Sequence, residues 1–234
     1  MGIYYRSDTT RLSFRELWRL STNVSSFLTA CVHKVSRLRA PVSWAIRYDD
    51  AITVLPADKV PVHAMRALKP FVEGFQRLGA RLAFYQTVSA TENLESYFAI
   101  LLPPEQNAVI VIAWAKARIS EPSKESPAIC AITSQLQDDT YFSTTNRPSR
   151  FTRPPEFRAS RWQGATPAEL SRRHKGALAE SDSAAIPSRD EEDAKEVLLA
   201  IKRRNFEWNV NRGVYVLLTT AEQTRLGLPV EEDS

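Results

Sequence analysis

The chain has 234 residues, 43% hydrophobic and 25% charged, with a formal net charge of +4, so it can form one large domain or two small ones and bury about 70% of its unfolded surface without a staple. Its two cysteines, Cys31 and Cys130, lie in apolar settings far apart in sequence, which excludes a disulfide framework and fits small buried hydrophobes in a reducing compartment. No run reaches the ~18 apolar residues of a membrane span, and the opening MGIYYRSDTTRLSF lacks the apolar core of a secretory signal, so a cytoplasmic location is expected, with a place at the membrane periphery as the alternative.

In residues 13–38, Phe14, Leu17, Val24, Leu28, Cys31, Val35 and Leu38 recur at three- and four-residue spacings, which predicts one long amphipathic helix. Ser13 and Glu16 have capping-box spacing at its start, and Pro41 stops it. The polar side carries Arg15, Arg19, Lys34 and Arg37, with Glu16 the only acid. The preferred role of this helix is to pack its apolar stripe on the domain, a second copy or a protein partner; lying on an anionic membrane surface is the alternative. Residues 42–48 and 51–55 read as two short strands joined at Asp49 and Asp50. A helical pattern resumes over 57–78, with Val62, Met65, Leu68, Phe71, Val72, Phe75 and Leu78 on one side and Gly79 placed to end it. Pro70 is expected to divide this span into a short helix and a longer one.

From Ala80 the period changes from helical to extended. Residues 81–88, 95–103, 108–119, 128–136 and 140–146 are rich in β-branched and aromatic side chains and are separated by turn-prone segments. Those connections are mostly too short for crossover helices, so an antiparallel meander is predicted. The stretch NRPSRFTRPPEFRASRW, residues 146–162, follows with Arg147, Arg150, Arg153, Arg158 and Arg161 among three prolines. The prolines forbid a helix, while FRASRW can supply a last edge strand. Thr166, Pro167 and Glu169 then mark a helix start, as N-cap, first helical residue and capping-box partner. Residues 181–187 read as a linker. Ser188 is expected to cap a second helix whose first turn is acidic and whose later part is basic, the order the helix dipole favours. Residues 213–218 read as a strand and 220–227 as a closing helix.

The usual catalytic signatures are missing. His33, His63 and His174 are widely spaced, no HExxH or CxxC occurs, and the seven glycines form no phosphate loop or nucleophile elbow. No metal, cofactor or catalytic residue is therefore assigned, and an enzyme is the least favoured class. Glu92, Glu95, Asp138 and Asp139 sit where turns need polar residues. His174, between Arg172, Arg173 and Lys175, is the most interesting single residue; a surface or helix-end histidine is its simpler reading. Residues 1–120 carry 15 basic and 9 acidic side chains, residues 181–234 carry 7 and 11, a modest basic bias that could attract polyanions. Arg147, Arg150, Arg153, Arg158 and Arg161, with Arg172 and Arg173, are the candidate anion-binding set. Phe151, Phe157 and Trp162 could serve them as stacking platforms for a single-stranded nucleic acid. A structural connection, with arginine stems packed over those rings, is preferred.

Leu78-Gly79-Ala80 at a helix end, a meander, then TYFSTTNRPSRFTRPP, GATPAELSRRH and NVNRGVY together resemble a pattern in uncharacterised bacterial proteins. The likeness covers residues 70–216 and implies a bacterial source and one α+β domain, with no activity or site residues to transfer. The predicted fold is α+β: an antiparallel meander of five to six strands covered by helices, similar in order to helix-grip folds, with an N-terminal amphipathic helix (1–40), a core (41–180), a linker (181–187) and a C-terminal helical extension (188–234). The function expected is a non-catalytic binding module that holds a small apolar ligand or a protein partner against the sheet. The alternative is an anion-directed protein that meets a membrane surface or nucleic acid through its basic helix and arginine segment.

Overall fold

Two sheets and six α-helices organise residues 3–21, 23–37, 45–49, 51–88, 94–117, 128–147 and 152–229, which the computed structural model describes. Strand β1 (Ile3–Ser7) leads through a single 3-10 turn to helices α1 (Phe14–Leu20) and α2 (Val24–Val35). The single helix expected over 13–38 is thus two. Asn23 lies in extended backbone and its side chain caps the N–H of Ser26, so α2 restarts with its own capping box. Asn is a strong N-cap and a weak interior residue, which favours the break. Leu17 and Leu20 of α1 and Phe27 and Ala30 of α2 pack together with Leu12 and Val214.

Strands β2 (Ile46–Tyr48) and β3 (Thr53–Leu55) follow. They were expected to form a hairpin and do not: β2 pairs antiparallel with β1, whereas β3 pairs with β4 (Arg81–Thr87) in the other sheet. Helix α3 (Val62–Gln76) lies between them in sequence and runs unbroken through Pro70. Pro70 and Arg66, whose carbonyl loses the N–H that a proline cannot supply, are both on the exposed side, so water can take that donor's place.

The large sheet continues through β5 (Leu94–Leu102), β6 (Val109–Ala117), β7 (Ile129–Gln135), β8 (Tyr141–Thr145) and β9 (Phe157–Arg161), in the order β3-β4-β5-β6-β7-β8-β9. Pairing is antiparallel from β3 to β8. The strand from FRASRW is the edge strand expected, but it runs parallel to β8. Seven strands replace the five or six predicted.

Both faces are covered. On one side Ala64, Leu68, Val72 and Phe75 of α3 and Leu170 of α4 (Pro167–Ala179) meet Leu101, Ile110, Ile112, Trp114, Cys130 and Ile132. Burial pushes the Cys130 thiol far up, so this cysteine is the inert hydrophobe expected. On the other side Ala194, Val197, Leu198 and Ile201 of α5 (Glu191–Asn211) meet Phe84, Phe98, Ile100, Leu102 and Val109. Two opposed apolar faces explain why β5 and β6 read as continuous hydrophobic runs.

The N-cap of α5 is Asp190, not Ser188; Ser188 is buried and donates its N–H to the carbonyl of Gln106. Residues 184–186 hydrogen-bond along Gln135 and Gln137 at the end of β7. Further along α5, Phe206 stacks on Tyr48 at 4.1 Å and meets Tyr5 edge-on at 4.8 Å. One helix therefore touches both sheets. Strand β10 (Tyr215–Leu217) completes the small sheet, ordered β10-β1-β2, and α6 (Thr220–Arg225) follows it.

Candidate functional site

Strand register lines up Leu101, Ile110, Ile132, Thr144 and Ser160 in one row across the face that α3 and α4 cover. The row changes from aliphatic to hydroxylated between β7 and β8. His174 of α4 lies over that change, 3% exposed, which corrects the surface position its basic neighbours suggested. Leu170 and His174, four residues apart, are the two buried residues of α4, so the helix presents them together to the sheet while Arg172 and Lys175 stay outside.

The hydrogen bonds fix the tautomer. Ser134 Oγ lies 2.5 Å from the carbonyl oxygen of Asn107, which can only accept, so the single Ser134 hydroxyl proton goes there. His174 Nε2, 2.9 Å from the same Oγ, must then donate to it. Nδ1 accordingly accepts from Thr144 Oγ1 at 3.0 Å, and Thr144 Oγ1 accepts from Ser160 Oγ at 3.3 Å. Burial pushes the His174 pKa down to about 4, so the ring is neutral near pH 7. A histidine that donates to a serine cannot deprotonate it, and neither ring nitrogen is left to ligate a metal.

Beside this network is a pocket of about 370 Å³ between the end of α3, the β5–β6 turn and α4. Phe75, Ile110 and Ile132 form its apolar interior, with His174 in the wall. Its rim carries Arg172, Lys175 and Glu105. Lys175 and Glu105 form an ion pair, and the hydrogen bond from Lys175 holds the Glu105 carboxyl below its usual range. Gly74 sets the separation of the two helices: a Cβ there would stand 2.6 Å from Cγ of Pro167.

The seven candidate arginines do not form one site. Arg172 is on the pocket rim. Arg173, on α4 and outside the arginine-rich segment, stacks on Trp162, its guanidinium carbon 3.2 Å from the ring centroid. Arg158 stands on the exposed edge strand, where its charge helps lower the Asp138 carboxyl after the Thr140 and Ser183 hydrogen bonds. The half-buried Arg147 donates its backbone N–H to Thr145 Oγ1. Arg150 and Phe151 lie outside the described residues, as does Glu92.

Arg161 acts on Arg153 through its charge, and is itself under the charges of Arg15 and Arg19 of α1. Burial, then the charge of Arg161, lowers the Arg153 pKa; burial, then Arg19 and Arg15, lowers that of Arg161. The chain next to Arg153 is tied to α1 by Glu16, whose Oε1 accepts the N–H of Thr152 at 2.8 Å. Among the other acids named from sequence, Glu95 binds His63 at 3.1 Å and Asp139 faces Arg204 at 3.5 Å. No group of three or more metal-ligating side chains occurs among the described residues, and no helix among them is long and apolar enough to cross a membrane.

No family model, curated protein or solved structure matches the chain.

Proposed function

We propose that the protein is a non-catalytic binding module that takes a small amphipathic acid, apolar body inward, in the pocket between α3, α4 and the sheet. The observation that carries this reading is a pocket of about 370 Å³ with an apolar interior and Arg172 at its rim, within the ~300–1,000 Å³ usual for small-ligand sites. An aliphatic body would lie on Ile110, Ile132 and Phe75, and its carboxylate would meet the planar donor fork of Arg172. Binding without chemistry is supported by the committed hydrogen bonds of His174. Helices folded over a sheet with a ligand space between them is also the feature this chain would share with helix-grip folds, an analogy of architecture only.

The test is a thermal-shift and calorimetric comparison of medium-chain carboxylic acids with the matching alcohols. Acids should bind more tightly, Arg172→Gln should abolish the preference, and Ala168→Trp, at an exposed position on the pocket wall, should block both. Equal binding of acids and alcohols, or binding unaffected by Ala168→Trp, would remove the basis for this reading.

A further inference from the structure

Besides the side packed on Leu12 and Val214, the N-terminal helices carry further apolar side chains that are exposed. Phe14 and Trp18 of α1 and Val24, Leu28, Val32 and Val35 of α2 are between 51% and 76% exposed. Those on α2 follow a spacing of four, four and three residues, which keeps them on one stripe. Trp18 meets Phe27 edge-on at 5.0 Å, and Lys34 lies 5.5 Å from the Phe14 ring centroid, so Phe14 and Trp18 run along the flank of α2 that carries Phe27 and Lys34, about 100° round the helix from the stripe. Six large exposed hydrophobic side chains on one helix pair, four of them in a single stripe, exceed the scattered single exposures normal for a surface.

The adjoining surface is basic. Arg15 and Arg19 follow Phe14 and Trp18 by one position, about 100° further round the helix, and their charges act on Arg161, on the edge strand β9, whose own charge acts on Arg153. Glu16, the one acid in residues 14–37, turns inward and gives both carboxylate oxygens to Arg212, at 3.0 and 2.7 Å. It brings the 152–153 segment to α1 without contributing charge to the outer face.

We infer that this face docks on an anionic phospholipid surface, with Phe14, Trp18 and the α2 stripe entering the headgroup region and Arg15, Arg19 and Arg161 meeting lipid phosphates. An interfacial helix combines an apolar side with a basic flank in this way, and aromatic rings and arginine stems suit the boundary between headgroup and acyl chain. A second copy is a poorer occupant, because a two-fold contact through this face would bring the arginine cluster towards its own duplicate. A nucleic acid would use the arginines but has no complement for an aliphatic stripe of valines and leucine.

The experiment is co-sedimentation of the full chain with phosphatidylcholine vesicles, with and without phosphatidylserine as the anionic lipid, alongside tryptophan emission spectra. Binding should require the anionic lipid, weaken with salt and shift tryptophan emission to the blue, a shift reduced by Trp18→Phe. Arg15→Gln/Arg19→Gln/Arg161→Gln should lower affinity roughly hundredfold, at about 1 kcal/mol per arginine. Leu28→Ser/Val32→Ser/Val35→Ser should abolish binding with the melting temperature unchanged, since all three are exposed. The salt titration of the wild type tests the electrostatic part whether or not the arginine variant folds. The inference is overturned by equal binding to neutral vesicles, by full binding of the serine variant, by a wild-type dimer that the serine variant dissociates, or by oligonucleotide binding that needs the arginines while no vesicle binding occurs.

Discussion

Glu16 and Arg212, 196 positions apart, form a two-point ion pair in which the carboxylate is completely buried and the guanidinium only partly so. Burial alone would raise the Glu16 pKa. The hydrogen bonds from Arg212, Thr152 and Ser13 outweigh it and hold the carboxyl far below its ordinary range. One side chain therefore caps α1, binds the end of α5 and secures the chain at Thr152.

Glu16→Ala removes all of these at once and leaves Arg212 unpaired, at an expected cost of about 3 kcal/mol in a urea titration, the lower end for a broken buried pair because Arg212 keeps some contact with water. The double variant Glu16→Ala/Arg212→Met should be less unstable than the sum of the two single changes, since the second substitution removes the orphaned charge. Additive losses would mean that the pair contributes nothing beyond capping.

Stability should fall in two acid windows. Between about pH 6.5 and about 4 the unfolded chain binds a proton at His174 that the folded chain, with its pKa near 4, does not; stability is complete above this window and declines through it, by roughly 3 kcal/mol at about 1.4 kcal/mol per unit. Glu16 acts in a separate window: its folded pKa is depressed, so its contribution is present above the unfolded value of 4.5 and is lost as pH falls below it. Urea midpoints measured from pH 8 to pH 3 should show both, and His174→Gln should flatten the upper window only. A wild-type midpoint constant from pH 7 to pH 5 would contradict a buried neutral imidazole.

Local signals carried much of this structure. The Ser13–Glu16 and Thr166–Glu169 capping boxes and five meander strands were legible because side chains within a few residues determine them. Non-local pairings were not. Nothing within Ile46–Tyr48 and Thr53–Leu55 says that one strand joins β1 and the other β4, and strand β1 itself was missed because its partner β10 lies at the other end of the chain. Glu16 was readable as a cap but not as the partner of Arg212. For His174 a signal did exist: its four-residue spacing from Leu170 indicated a shared buried face, and the three basic neighbours obscured it. The splitting of the arginines among pocket, edge strand and α1 depends on the direction of each side chain from β9 and α4, which composition does not encode.

Gly74 tests how closely α3 and α4 must approach. Alanine normally favours a helix interior over glycine by about 1 kcal/mol, yet here its Cβ would lie 2.6 Å from Pro167, a ring held in the first turn of α4 with little freedom to yield. Gly74→Ala should therefore lower stability by about 1–2 kcal/mol, against helix propensity, and weaken ligand binding in the adjoining pocket. A rise in melting temperature would show that the helices separate easily.

Trp162 and Arg173 decide how firmly the arginine-rich connection is attached to α4. The indole is 37% exposed and stacks under the guanidinium, so Trp162→Ala should cost about 1–2 kcal/mol, less than the ~3–5 kcal/mol of a fully buried ring. A double-mutant cycle with Arg173→Gln should give a coupling of about 0.5–1 kcal/mol, the value of a partly wet cation–π contact. Exchanging Arg147 and Arg158 for glutamine should leave the melting temperature within experimental error, because a half-buried Arg147 bonded through its backbone and an edge-strand Arg158 near Asp138 contribute little through charge. If that exchange unfolds the protein while Trp162→Ala does not, the connection is held by charge rather than by the stacked ring.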